Sequence, residues 1–243
     1  MRYKRCLNLL IFKKKAVTMS LEQMFIDYYF YYIFFIFITL VILFSFNIKF
    51  VLKHFKSIKK TTLVFVLLIF LCGLMLRVYF IPHVHHVYYD EFNHLNIAEH
   101  LVKEHKFCSD FDPNNKNCIL FGWPPGFHFL LSLFFTLFGI SDKVAYTFNS
   151  LVSCFSLLLI FFLTYLFFKN EKIALFSMFL LNFLPVHLKI SGTTTLMPIF
   201  FFFILLTFIF AFIYIKEKQY SILLLFFSSL LFTVYIRPEN FIS

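Results

Sequence analysis

The sequence predicts an all-α, polytopic transmembrane helix bundle of about seven helices, with an amphipathic helix in its first large extracytoplasmic loop. Three observations carry that prediction. The 243 residues are 61% hydrophobic and only 14% charged, against about 25% charged in a soluble domain. The apolar residues gather near 26–50, 61–82, 125–140, 144–168, 173–190, 195–215 and 220–236. Most of these runs approach the length of about 20 residues that a membrane-crossing helix needs. Polar residues collect instead in one island, 83–124, which holds most of the histidines.

The first 24 residues form a basic segment that opens with MRYKRCLNLLIFKKK. Its apolar stretch at 7–12 is too short for a signal peptide. Met19 leads into an acidic head with Glu22 and Asp27, so an over-extended start is the expected reading. Residues 25–243 make one transmembrane domain, expected to be the N-terminal part of a longer protein, because no further apolar segment comes after 220–236.

The first two apolar segments are joined by KHFKSIKK, ending in Lys59 and Lys60. Lysine-rich loops stay cytoplasmic, which sets the island 83–124 outside the cell membrane. Strict alternation then puts 142–143 inside, 169–172 outside, 192–195 inside, 216–218 outside and 237–239 inside. The lysines at 169–172 and 216–218 oppose this order. Lys189 and Arg237 fall near inner ends in this scheme and read as topological. Pro185 and Pro198 are expected to kink their helices, which membrane bundles tolerate.

The formal net charge is +10, but the lysines lie in short runs beside apolar helices. There they set topology and meet anionic lipid. Nucleic-acid binding needs a basic face on a folded soluble surface, and no soluble domain is present. Cys72 and Cys154 sit inside apolar helices. Cys108 and Cys118 share the island, where an oxidising compartment would allow a disulfide.

Chemistry is expected in the island. Asp90 and Glu91 precede a segment in which Ile97, Leu101 and Val102 line one helical stripe, with Leu95 nearby. Such a helix would lie on the outer membrane surface, with both acids at its N-terminus, where the helix dipole favours their anions. An interfacial carboxylate suits a general base; the same dipeptide also fits a simple helix cap. Of the histidines, His94 and His128 are candidates to meet a phosphate or a lipid head group. No HExxH pattern occurs, and metal sites need three or four ligands at set spacing, so no metal site is predicted. Arg77 lies near the outer end of its helix and must snorkel or find a partner, either a lipid-linked phosphate or Asp90. Trp123, Pro124 and Pro125 open the third apolar segment as a rigid, interfacial entry.

Taken together, these pieces resemble a known family. Leu76-Arg77-Val78-Tyr79, then Asp90-Glu91 with a helix carrying Ala98, then PPGFHFLLSLFFTLFGIS from Pro124 resemble the GT-C glycosyltransferases. The similar branch is the family 39, RgtA/B/C/D-like group, related to the protein mannosyltransferases and aminoarabinose transferases. Leu184-Pro185 and Arg237-Pro238-Glu239 continue the likeness. The resemblance implies a membrane glycosyltransferase that moves a sugar from a polyprenyl-phosphate-linked donor to a lipid, protein or glycan acceptor outside the cell membrane. It implies Asp90 as the essential acid, with Glu91 beside it. The aminoarabinose branch has basic residues where Asn93 and Trp123 stand here, which leaves Arg77, His94 and His128 for the donor phosphate. No nucleotide cofactor is implied, and a divalent cation is left open. The alternatives are a non-enzymatic transporter or lipid-glycan flippase, and an inactive remnant of such an enzyme. A transporter would be expected to carry ionisable groups or broken helices near the bilayer midplane, and the apolar segments read as nearly free of both.

Overall fold

The computed structural model describes Tyr28 and residues 30–85, 88–109 and 124–237. The described residues are all-helical. In chain order the helices are α1 (Phe30–Lys53), α2 (Lys60–Met75), α3 (Tyr88–Glu104), α4 (Pro125–Phe138), α5 (Asp142–Phe168), α6 (Glu171–Phe183), α7 (Pro185–Ser191), α8 (Met197–Glu217) and α9 (Tyr220–Ile236). A π-helical turn, Leu76–Phe80, extends α2. The N-terminal segment 1–24 and Trp123 lie outside the described residues.

Four helices are long and apolar enough to cross a bilayer: α1, α2 with its π-turn, α5 and α8. A fifth crossing forms if α6 and α7, bent by 59° between Phe183 and Pro185, count as one. The bend has a local cause. Pro185 opens α7 and cannot donate to the preceding turn, and Leu184 is extended (φ −65°, ψ 115°), as a residue before proline prefers. α5 packs against α2, α4, α6, α7 and α8 and is the hub of the bundle.

Contacts between the turns overturn the strict alternation expected from the sequence. His54 Nε2 lies 3.0 Å from Glu217 Oε1, and the Lys59 amide donates to Glu171 Oε1 at 3.1 Å. Thr62 also donates to Glu171, and Ser57 Oγ meets the Tyr165 hydroxyl at 2.7 Å. The lysine-bearing turns 54–59, 169–170 and 218–219 therefore share one end of the bundle, the lysine face. At the other end, the loop face, His85 Nε2 lies 3.6 Å from Asp142 Oδ2. The Thr194 amide donates to Glu91 there, and Tyr235 donates to Tyr32.

Residues 142–143 and 192–195 thus lie on the island's side, not opposite it, and Arg237, bonded to Met197 Sδ, joins them. The reason is α4. Its 14 residues span about 21 Å at 1.5 Å per residue, less than the roughly 30 Å hydrocarbon core. Both of its ends stay at the loop face, so it does not reverse the order of the following helices. Gly126 lets it dock: a Cβ there would sit 2.9 Å from the Tyr235 carbonyl oxygen at the end of α9. Cysteines placed at Ile140 and Glu104 should then react with a membrane-impermeant maleimide from the same side, and one at Lys218 only from the other. Opposite labelling of positions 140 and 104 would contradict this arrangement.

The α3 stripe is also placed differently from the expectation. Ile97, Ala98 and Leu101 are buried, but against protein: α4 is the main partner of α3, and Phe30 of α1 packs on the same cluster. α3 buries Glu91, Asn93 and His94 as well. A helix whose concealed face carries these polar groups is seated on the bundle, where each can find a partner.

Candidate functional site

The site is built around the first turn of α3. Asp90 and Glu91 occupy that turn, and successive helical residues point about 100° apart, so neighbours in sequence meet different surroundings. Glu91 turns inward and is fully buried. Its Oε2 accepts from His85 Nδ1 at 3.0 Å, from the Thr194 amide at 3.0 Å and from the Thr194 hydroxyl at 2.8 Å. The 192–195 turn is itself held by α5. Asn149 Nδ2 donates to the Thr193 and Thr195 carbonyls at 2.6 and 2.8 Å, and Ser150 donates to the Ser191 carbonyl at 3.1 Å. Gly192 allows the close approach, since a Cβ would fall 2.7 Å from the Pro82 carbonyl oxygen. Glu91 therefore locks α3 to α5 and to the turn before α8.

Asp90 is the contrast. It is half-buried, and among the described residues its carboxylate has no hydrogen-bond or ion-pair partner. Four residues on, and hence on the same face of the helix, lies His94, itself buried. Its Nδ1 is 2.8 Å from His128 Nε2, and His128 Nδ1 is 3.0 Å from the Pro124 carbonyl oxygen. The carbonyl can only accept, so His128 carries its proton on Nδ1 and accepts at Nε2. His94 then donates from Nδ1, which leaves its Nε2 as the basic end of the chain. Pro124 thus supplies the acceptor that fixes both tautomers.

Burial pushes the His94 pKa down to about 4, opposed in part by the Glu91 carboxylate. The unfolded chain takes up a proton near pH 6.5 that the folded site refuses until about pH 4. Stability contributed by this site is therefore complete above about pH 6.5 and is lost as the pH falls towards 4. His94→Gln, which keeps a side-chain donor, is expected to flatten that acid limb in melting curves between about pH 6.5 and 4. An unchanged limb would show that His94 does not set it.

Asn93 is buried, and its Oδ1 accepts from Ser109 Oγ at 3.0 Å. Ser109 Oγ also lies 2.8 Å from Asn96 Oδ1, so the two asparagines share its single proton and anchor the chain leaving α3. The neighbouring Cys108 is disulfide-bonded, and its partner, like Cys118, lies outside the described residues. Pro125 is buried at the first position of α4.

Arg77 meets neither Asp90 nor open space. It is fully buried, and its donors go to neutral acceptors on four segments. Nε reaches Ser153 Oγ at 3.1 Å, Nη1 reaches the Gly73 carbonyl at 3.1 Å and Asn182 Oδ1 at 2.7 Å, and Nη2 reaches His187 Nδ1 at 2.8 Å. Among the described residues no carboxylate pairs with it. This cluster corrects the reading of the apolar segments as nearly free of ionisable groups: Arg77 and His187 sit together beside the α6–α7 bend.

The structure thus brings Glu91, His85 and Thr194 together, and His94, His128 and Pro124 together, and leaves Asp90 open. Arg77, Asn93 and His128 are enclosed rather than presented to a ligand. Thr194, Asn182 and His187 escaped the sequence reading: Asn182 and His187 stand singly in apolar runs, and nothing sets Thr194 apart from Thr193 and Thr195 beside it. Among the described residues no group of three His, Cys, Asp or Glu side chains could hold a metal ion.

Fold and composition define a multi-pass membrane protein with a polar site at one end of its bundle. No protein-family model matches the chain, and comparisons with curated proteins and with solved structures return no match either.

Proposed function

We propose that the protein is a membrane glycosyltransferase that uses a polyprenyl-phosphate-linked sugar and acts on the extracytoplasmic side of the cell membrane. The observation that carries this reading is Asp90: a half-buried carboxylate with no described partner, at a helix start, beside the engaged Glu91 and His94. Buried polar groups are as a rule hydrogen-bonded, so a half-buried acid with no described partner stands out. The resemblance of the Arg77, Asp90 and Pro124–Pro125 segments to family 39 GT-C enzymes supplies the reaction class. An acceptor oxygen attacks the anomeric carbon, the carbon–oxygen bond to phosphate breaks with inversion, Asp90 takes the acceptor's proton, and the polyprenyl phosphate leaves.

The side is argued from charge. Lys53, Lys56, Lys59, Lys60, Lys169, Lys172, Lys216 and Lys218 all belong to the lysine face, which the positive-inside rule assigns to the cytoplasm. The disulfide at Cys108 suits the oxidising side. The count of about seven segments becomes six crossings in this reading, with α9 and the bent α6–α7 pair spanning and α4 re-entrant.

A flippase or transporter is the second reading, favoured by the bent α6–α7 pair and the buried Arg77 beside it. One assay separates the two. In proteoliposomes carrying a radiolabelled polyprenyl-phosphate sugar, the glycosyltransferase releases the lipid phosphate and labels a water-soluble acceptor. Movement of intact donor between leaflets without cleavage would replace this proposal with the flippase.

A further inference from the structure

We infer that the junction of α4 and α5 is the seat of the isoprenoid phosphate itself, with Lys143 on the phosphate and the α4–α5 groove on the proximal tail. This rests on the glycosyltransferase reading for the identity of the lipid. Two adjoining hollows carry it. A cleft of about 440 Å³, the more polar of the two, is lined by Val78, His83, Lys143, Tyr146, Thr147 and Ser150. An apolar one of about 240 Å³ is lined by Phe134, Phe138, Lys143, Val144, Thr147 and Leu151. Lys143 and Thr147 belong to both, so the cation stands where the more polar hollow meets the more apolar one. That is the charge pattern of a phosphate joined to a hydrocarbon chain.

Lys143 is exposed, and no carboxylate among the described residues pairs with it; the adjacent Asp142 faces His85. It occupies the first turn of the 27-residue α5, whose dipole adds to the attraction for an anion. The apolar hollow runs from Lys143 to Leu151, about 12 Å along the axis, on the flank that α5 presents beside the short α4. The more polar cleft reaches His83 and Tyr146. Tyr146 lies against the rings of His83 and His85 in tilted contacts, with centroids 5.6 and 5.4 Å apart, and His85 bonds Glu91, the neighbour of Asp90.

The test uses the purified full chain in neutral detergent and a benzophenone-bearing farnesyl phosphate as the photo-crosslinking probe, with unlabelled competitors. Farnesyl phosphate should compete at least tenfold better than farnesol and at least tenfold better than phosphatidylglycerol. Lys143→Glu should weaken probe binding at least tenfold, and Lys143→Arg should preserve it. Thr147→Trp, at an exposed position shared by both hollows, should block labelling without lowering the melting temperature. Equal competition by farnesol would remove the phosphate from the proposal. Equal competition by phosphatidylglycerol would make the groove an ordinary phospholipid site. Unchanged binding in both Lys143→Glu and Thr147→Trp would overturn the assignment. Asp90→Asn should leave binding intact. Loss of transfer function elsewhere in the protein therefore cannot mimic failure of this subsite, and retained binding with no transfer by the parent chain would sink only the enzymatic reading.

Discussion

Asn182→Leu lowers the melting temperature of the detergent-solubilised protein by roughly 5–10 °C, whereas Asn182→Asp holds or raises it. Both expectations rest on Arg77. The guanidinium is fully buried and pays desolvation with no described carboxylate in return, so each neutral acceptor matters. Leucine keeps the volume of Asn182 but removes the acceptor 2.7 Å from Nη1. A hydrogen bond to a charged group contributes about 1.5–3 kcal/mol, and losing it leaves a buried donor bare. At about 2–4 °C per kcal/mol for a chain of this size, that loss gives a drop of the expected magnitude.

Aspartate acts oppositely. It retains the acceptor, supplies a counter-charge, and removes the Asn182 Nδ2 donor, which is buried without a partner. A melting temperature that falls equally in both variants would show that the position is governed by packing alone. The position is tight on the side of α2: a Cβ on Gly73 would come within 2.6 Å of both Asn182 Oδ1 and Leu157.

The parts of the fold that were legible in the sequence are those written in composition and proline chemistry. Long apolar runs announced α1, α2, α5 and α8, and Leu184-Pro185 announced the bend. What was not legible is which turns meet. The Gly139-Ile140-Ser141 turn reads like any helix connection, and it is contacts such as that of Asp142 with His85 that show α4 failing to cross. That single short helix reversed the assignment of every later turn, and the awkward lysines at 169–172 and 216–218 were the sequence's own sign of it.

The site divides in the same way. Asp90 and Glu91 are indistinguishable as a dipeptide, and helical geometry decides between them. A rotation of one residue sends Glu91 to Thr194 and His85 and leaves Asp90 facing outward. His94 and His128 were visible as candidate histidines, but their pairing across 34 residues was not. Arg77 was singled out as a charge that must snorkel or find a partner, yet its side-chain partners came from α5, α6 and α7, too far along the chain for any spacing rule to reach.

Asp90→Asn is expected to reduce sugar transfer by about 10²- to 10⁴-fold, the range that a positioned general base contributes, while leaving the fold alone. The substitution is nearly isosteric, and no described hydrogen bond depends on the carboxylate. Glu91→Gln should do the reverse in kind. Its carboxylate gathers three donors around one oxygen, so a neutral amide should lower the melting temperature, and any loss of transfer should track that loss of structure.

The decisive measurement is the transfer rate of Asp90→Asn at saturating polyprenyl-phosphate sugar, taken on protein whose melting temperature matches the parent. If Asp90 is the base, the rate falls to at least about 100-fold below the parent with melting unchanged. Transfer at the parental rate by an equally stable Asp90→Asn protein would contradict that role, and would return the open carboxylate to the part of a helix cap.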